Sequence, residues 1–299
     1  MANPVSAAVH QCRLFFIALQ FFTRLPIPRW VGFEPAWLQH ASRYFPLVGV
    51  VVAAISGAVY LLASWLLPSA VAVLLAVAAG IYLTGAFHED GFADMCDGFG
   101  GGMTRERVLE IMKDSRIGAY GAIGIICLLA IKCAALASLP PATVVATLLI
   151  AHPLSRLAAV SLIWAMDYAR DEGKAKPMAQ EMTTGEFIIA TVCGLLPAIA
   201  CGLLGIFYWA TLVFAIVAAA AAAFWLGRKC QRRLQGYTGD CLGAVQQVAE
   251  VAIFLAILSS FPPPARFYEH HAPDPRSPPR AASHQRHLLW PQRRGGGTT

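Results

Sequence analysis

Seven apolar runs of about 20 residues each, the length a helix needs to cross a bilayer, constrain this 299-residue chain more than any other feature. They cover Phe45–Leu67, Ala70–Phe87, Gly118–Leu139, Ala142–Met166, Phe187–Tyr208, Thr211–Gly227 and Leu242–Phe261. An earlier apolar stretch, Cys12–Phe22, is too short to span and reads as an interfacial or re-entrant helix that ends at Arg24-Leu25-Pro26. Only 13% of the residues are charged, against about 25% in an average soluble domain. A soluble chain of this length could not cover its surface with so little charge. The expected fold is therefore all-α, a polytopic membrane helix bundle.

The connections alternate in character. Pro68, Pro140-Pro141 and Trp209-Ala210 mark short uncharged turns, whereas 23–44, 88–117, 167–186 and 228–240 are long and polar and carry most of the Arg and Lys. The positive-inside rule puts those four on the cytoplasmic side. Met1–Gln11 contains no Lys or Arg and leads to no small-residue cleavage site, which argues against a cleaved signal peptide. The eight cysteines are scattered without a C-x-x-C pair and read as reduced packing residues. A formal net charge of +6 suits an anionic membrane surface or substrate, and with no basic stripe interleaved with aromatics nucleic acid is not expected.

Residues 1–261 read as the membrane domain and 262–299, rich in Pro, Arg, His and Gly, as a disordered tail. Seven full spans would carry that basic tail to the outside, so either the last run is re-entrant or one span is miscounted.

The chemistry concentrates in His88-Glu89-Asp90-Gly91-Phe92-Ala93-Asp94-Met95-Cys96-Asp97-Gly98. On a helix, Asp90, Asp94 and Asp97 fall at i, i+4 and i+7 and share one face. Stacked carboxylates repel, and hard oxygen donors select Mg²⁺ or a similar ion. Glu89, Asp90, Asp94 and Asp97 are the candidate metal ligands, and Phe99-Gly100-Gly101-Gly102 reads as a pliant phosphate-binding loop. The alternative is a set of idle charges at a helix end. Lys113, Ser115 and Arg116, in Lys113-Asp114-Ser115-Arg116-Ile117-Gly118, are candidates for phosphate oxygens.

Within the fourth run, His152-Pro153-Leu154-Ser155-Arg156 is expected to break the helix and to put Arg156 near mid-membrane, where a charge tends to mark function. Lys132 reads as snorkelling or as paired with a buried acid. Asp240, Gly243, Gln247 and Glu250 form a polar stripe that must face the bundle interior, either completing the site or bonding helix to helix.

Six pieces carry a resemblance. They are Phe21-Phe22-Thr23-Arg24-Leu25-Pro26, Tyr44-Phe45-Pro46-Leu47-Val48-Gly49, Thr84-Gly85-Ala86-Phe87-His88-Glu89-Asp90-Gly91-Phe92-Ala93-Asp94, Cys96-Asp97-Gly98, Lys113 to Gly118, and Gly236-Tyr237-Thr238-Gly239-Asp240. In this order over residues 14–260 they resemble adenosylcobinamide-GDP ribazoletransferase, also called cobalamin (5'-phosphate) synthase. The resemblance implies the last assembly step of the vitamin B12 coenzyme. Adenosylcobinamide-GDP and α-ribazole, or α-ribazole 5'-phosphate, would give adenosylcobalamin, or its 5'-phosphate, and GMP with Mg²⁺ required. It also implies a multi-pass protein of the cell inner membrane, and it leaves oligomeric state open.

In the expected mechanism, Asp90, Asp94 and Asp97, with Glu89, hold Mg²⁺ on the diphosphate. Lys113, Ser115 and Arg116, with Arg156 and Asp240, bind substrate, and His88 or a spare carboxylate such as Asp97 takes the hydroxyl proton. The rival readings are a CDP-alcohol phosphotransferase or prenyltransferase, whose second Asp-rich motif is missing, and an ion-coupled transporter using Arg156 and Glu250.

Overall fold

The computed structural model describes residues 4–169 and 181–261, and the tail lies outside them. The described residues are helical apart from turns and one isolated bridge between Tyr168 and Tyr237. In lipid, the backbone of each apolar run has to bond within itself, which leaves the helix as the available form for separate runs.

Eleven helices follow in order among the described residues: α1 (Pro4–Phe22), α2 (Pro35–Ala41), α3 (Phe45–Ser64), α4 (Ser69–Thr84), α5 (Phe87–Gly101), α6 (Arg105–Ile111), α7 (Ala119–Ala137), α8 (Pro141–Ala165), α9 (Thr184–Leu203), α10 (Trp209–Leu234) and α11 (Gly239–Leu258). Six helical segments are long and apolar enough to cross a membrane, the first running through α2 and α3, and a seventh appears if α4 and α5 together are one broken span. The chain is thus a multi-pass membrane bundle. α8 and α11 form its centre, packed on each other, with α3 and α9 against α8, and α5, α7 and α10 against α11.

Four sequence expectations need correction. The second run is not a straight span of Ala70–Phe87. Its helix stops at Thr84, Gly85 and Ala86 both adopt left-handed backbone (φ 65° and 59°), and α5 leaves at 88° to α4. Glycine adopts that conformation freely, whereas alanine does so only under strain. The triglycine is no phosphate loop. α5 continues to Gly101, and its glycines are packing positions, where a Cβ on Gly98 would sit 2.5 Å from Met112 Cγ and one on Gly100 2.5 Å from the Tyr120 ring.

The third correction is at Pro153, which does not break α8. α3 passes so closely that a Cβ on Gly49 would meet the His152 carbonyl oxygen at 2.6 Å, and the helix is clamped through the proline. The fourth is α1, which is longer than expected and buries Leu14, Ile17, Ala18, Leu19 and Phe22, a helical stripe packed on the bundle.

The long connections gather at one end. Arg43 and His40 bond Glu186, the His40 Nδ1 to Glu186 Oε1 distance being 2.7 Å. Arg105 donates to the carbonyls of Leu234 (2.9 Å) and Ala169 (2.7 Å), and Arg233 donates to those of Phe99 (3.4 Å) and Gly102. Each contact joins two of the four stretches that the charge pattern groups together. At the other end, Phe261 lies against Phe207 in the α9–α10 turn, with ring centroids 6.5 Å apart. With the eight native cysteines replaced, single cysteines at Met103 and Arg232 should therefore label from one side of the membrane. Cysteines at Leu66 and Tyr208 should label from the other, and a mixed pattern would break this arrangement.

Candidate active site

α5 sits between α7 and α11 at the polar end, and glycines let it approach both. A Cβ on Gly91 would lie 3.0 Å from Asp240 Cα of α11, and one on Gly243 of α11 would lie 3.1 Å from the His88 carbonyl oxygen. This close crossing sets which way each member of the acidic cluster points. A helix turns about 100° per residue, so His88 and Asp90 are separated by roughly 160° of arc. Asp90 is exposed and Asp94 half-buried on the outward side, with the backbone of Asp240 at the same level. His88 and Glu89 are buried inside the bundle.

The four expected metal ligands therefore have three different surroundings. Asp97 reaches the N-terminus of α7, where Oδ2 accepts the Gly118 amide at 2.7 Å and Oδ1 the Gly121 amide at 2.8 Å. It caps a helix that has no side-chain cap of its own. The fit leaves no room for side chains at the partners, since a Cβ on Gly118 would sit 2.5 Å from Asp97 Oδ1. Asp97 thereby ties α5 to the connection that carries Lys113, Ser115 and Arg116.

Those three residues are exposed. Arg116 doubles back on Asp114, with Nη2 to Oδ2 at 2.6 Å and Nε to Oδ1 at 3.0 Å, and these bonds pull the Asp114 carboxyl down to about 2.

Glu89 faces an internal polar network. Its Oε1 accepts from Gln247 Nε2 at 2.8 Å, and Gln247 Oε1 accepts from Lys132 Nζ at 2.7 Å. Lys132 pairs with Glu250 at 2.9 Å, both at most 4% exposed, which realises the buried-acid reading of that lysine. Glu250 Oε2 also meets His152 Nδ1 at 3.2 Å and accepts from Gln246 Nε2 at 2.5 Å, and Gln246 Nε2 reaches Ser155 Oγ at 3.0 Å. Arg156 donates through Nη1 to the His152 carbonyl at 3.0 Å.

The polar stripe of α11 is thus mainly an interhelical hydrogen-bond core, with Asp240 alone near the outward face. Gln246 and His152 belong to it as well, although the sequence pattern assigns neither of them a role. Gln246 lies one turn before Glu250 on the buried face, which is the signal that could have identified it.

Among the described residues, no group of three or more His, Cys, Asp or Glu side chains is arranged to hold a metal ion. The chemistry of the donors still suits Mg²⁺, which keeps several waters and binds through one or two carboxylates plus substrate phosphates rather than in an all-protein cage. Asp90 and Asp94, one turn apart and outward, fit that mode; Glu89, inside, and Asp97, on the α7 amides, are less available.

The network yields a stability prediction. Glu250→Gln leaves Lys132 charged and unpaired, which should cost about 3–5 kcal/mol, read as a lower thermal midpoint in detergent. The double change Lys132→Met with Glu250→Met should recover most of that loss. A double variant as unstable as the single one would refute the pairing as its cause.

The comparisons with known proteins agree on one family. A family model described as cobalamin-5-phosphate synthase matches residues 14–258. A Leptothrix cholodnii protein named adenosylcobinamide-GDP ribazoletransferase is 45% identical over 260 residues, covering 85% of this chain and 98% of its own. Proteins of the same name from Ralstonia nicotianae (45%, covering 85% and 98%) and Shewanella frigidimarina (42%, covering 84% and 96%) are similar over nearly the same extent. No solved structure matches. With the matched region running from α1 to the end of α11, the chain belongs to the cobalamin-5-phosphate synthase family.

Proposed function

We propose that this protein joins adenosylcobinamide-GDP to α-ribazole, or to α-ribazole 5'-phosphate, with release of GMP, at the outward face of α5. The observation that carries this reading is the near full-length similarity to ribazoletransferases. Their shared name specifies this acceptor and donor. The transporter alternative loses its motive, because Glu250 is satisfied by Lys132, His152 and Gln246 within the bundle.

The reaction forms a bond between a ribose hydroxyl oxygen and the phosphorus attached to cobinamide, and it breaks the bridging P–O bond, whose electron pair leaves with GMP. Asp90 and Asp94 would hold Mg²⁺ against the diphosphate. When bound, the ion neutralises charge on the phosphate oxygens and on the departing GMP. Lys113 and Arg116, on the connection clamped by Asp97, would bind further phosphate oxygens. Arg116 exchanges Asp114 for substrate at little cost, because an exposed pair contributes little.

A carboxylate oxygen on this face, that of Asp90, Asp94 or Asp240, accepts the hydroxyl proton. His88 is a poorer candidate, because it is buried on the other side of α5 and stacked on Phe22 with ring centroids 5.5 Å apart. The cytoplasmic membrane is the proposed location, with the site facing the cytoplasm. Arg105, Arg107, Lys113, Arg116, Arg228, Lys229, Arg232 and Arg233, all on connections or helix ends at the site's end of the bundle, support that orientation.

Purified protein supplied with adenosylcobinamide-GDP, α-ribazole and Mg²⁺ should release GMP. Chelation by EDTA should abolish release, and Mg²⁺ or Mn²⁺ should restore it. Asp90→Asn and Asp94→Asn should each lower turnover by about two orders of magnitude or more, the loss of several kcal/mol of transition-state stabilisation, in protein that still folds. Asp97→Asn should act first on stability, since an amide nitrogen would face a backbone N–H. Near-normal GMP release by both Asp90→Asn and Asp94→Asn would end the metal-site reading.

A further inference from the structure

Between α8, α9 and α10 runs an open groove of about 800 Å³. α9 and α10 both pack on α8 but touch each other mainly near their connecting turn, where a Cβ on Gly202 would sit 2.9 Å from Leu212 Cδ1. Beyond that point they part, and α8 becomes the floor of the space between them. Its lining there is small, with Ala158, Ser161 and Ala165 from α8 and Ala219, Ala223 and Gly227 from α10. Small residues of this kind admit a close neighbour in lipid, yet among the described residues no helix fills the space.

The groove has two unlike ends. Leu154, Leu195 and Ile216 line the inner end, and Arg228, Gln231 and Asp167 the outer one. Along α10 the lining runs over the twelve residues from Ile216 to Arg228, about 18 Å of helix. Half of a hydrocarbon core is about 15 Å, so the groove follows one leaflet from its middle to the headgroups.

The outer end carries the side chains expected at that boundary. Lys229 lies over the Trp225 ring at 3.9 Å, and Trp164 stacks on Phe187 with centroids 4.7 Å apart. Tryptophan and cationic side chains at one level mark a membrane interface. Arg228 is exposed and rests on the Phe224 ring at 5.5 Å, and among the described residues it makes no ion pair. Arg228, with Lys229 and Arg232 beside it on α10, outweighs the single carboxylate of Asp167 in the lining. A basic pocket between membrane helices suits an anionic lipid headgroup.

We propose that this groove binds an anionic diacyl phospholipid of the leaflet at the polar end, with its acyl chains between α9 and α10 and its phosphate on Arg228. Gln231 supplies a neutral donor beside that phosphate. A water takes roughly 10–15 Å³ on the same measure, so the groove holds dozens of atoms, the scale of a lipid and not of an ion. The site is independent of the reaction assigned to the α5 face. The lipid supplies the wall between α9 and α10 that the described helices leave open.

The test uses the full chain in detergent, stripped of co-purified lipid and titrated with phosphatidylglycerol or with phosphatidylcholine of the same acyl chains. Native mass spectrometry should show one saturable phosphatidylglycerol adduct, about tenfold or more tighter than that of phosphatidylcholine. Arg228→Gln should remove most of that preference. Ala220→Trp, which fills the groove from an exposed position on α10, and Thr191→Trp, which fills it from α9, should each abolish the adduct. In vesicles, wild-type protein should be labelled along the groove by phosphatidylglycerol with a photoreactive acyl chain, a readout that needs no variant to fold.

Equal retention of the two lipids by the wild type would overturn the proposal, as would an adduct that survives both tryptophan substitutions. Labelling spread equally over exposed positions such as Leu74 of α4 and Ile123 of α7 would show ordinary boundary lipid and also overturn it. A wild-type dimer that Ala220→Trp dissociates, with no lipid adduct in either protein, would seat a second copy in the groove instead.

Discussion

The buried carboxylate of Glu250 is the interaction on which the arrangement depends. A charge placed inside a membrane bundle costs several kcal/mol unless it is paired and hydrogen-bonded. Glu250 is 2% exposed and meets Lys132 of α7, His152 of α8 and Gln246 of its own helix. Lys132 in turn reaches Gln247, and Gln247 reaches Glu89 of α5. Four helices thus share one set of polar partners. None can rotate or slide without leaving a charge alone, so the network fixes the rotation of α5 and with it the direction in which Asp90 and Asp94 point.

Hydrophobic burial does little of this work in lipid, where the solvent is as apolar as the side chains and small residues at helix contacts matter more. The close crossings are at glycines: Gly49 on the His152–Pro153 backbone, Gly91 on Asp240, Gly243 on His88 and Gly121 on Asp97. The first three approaches bring backbone to backbone, and at Gly121 an added Cβ would meet the Asp97 carboxylate and the Ala93 carbonyl oxygen, so a methyl group at any of them forces helices apart. Gly91 and Gly243 act as a pair, setting the α5–α11 distance between the acidic face and the internal network.

The strained turn between α4 and α5 performs the other placement. Ala86 holds a left-handed backbone that alanine adopts only at a cost, and the 88° bend carries the acidic helix away from the axis of α4. Glu89 can then enter the polar core while Asp90, the next residue, looks outward.

Much of this was legible in the chain itself. Length and apolarity of the runs determined the all-α membrane bundle, because lipid permits few other solutions for the backbone. The alternation of short bare turns with long basic connections grouped those connections at one end, and Arg43–Glu186, Arg105–Leu234 and Arg233–Gly102 unite them there. The position of the acidic cluster and its ordered motifs led to the right family.

The fate of each carboxylate was not legible. Asp90, Asp94 and Asp97 share a helical face by spacing alone, yet Asp97 is committed to the amides of α7 by a helix 21 residues further on. Pro153 reads as a break and Gly100-Gly101-Gly102 as a loop until α3 and the residues of α6 and α7 close over them. Spacing along one helix gives direction, but whether a polar group meets a metal, an amide, an ion pair or a cavity depends on which other helix arrives there. Only the tertiary structure decides that.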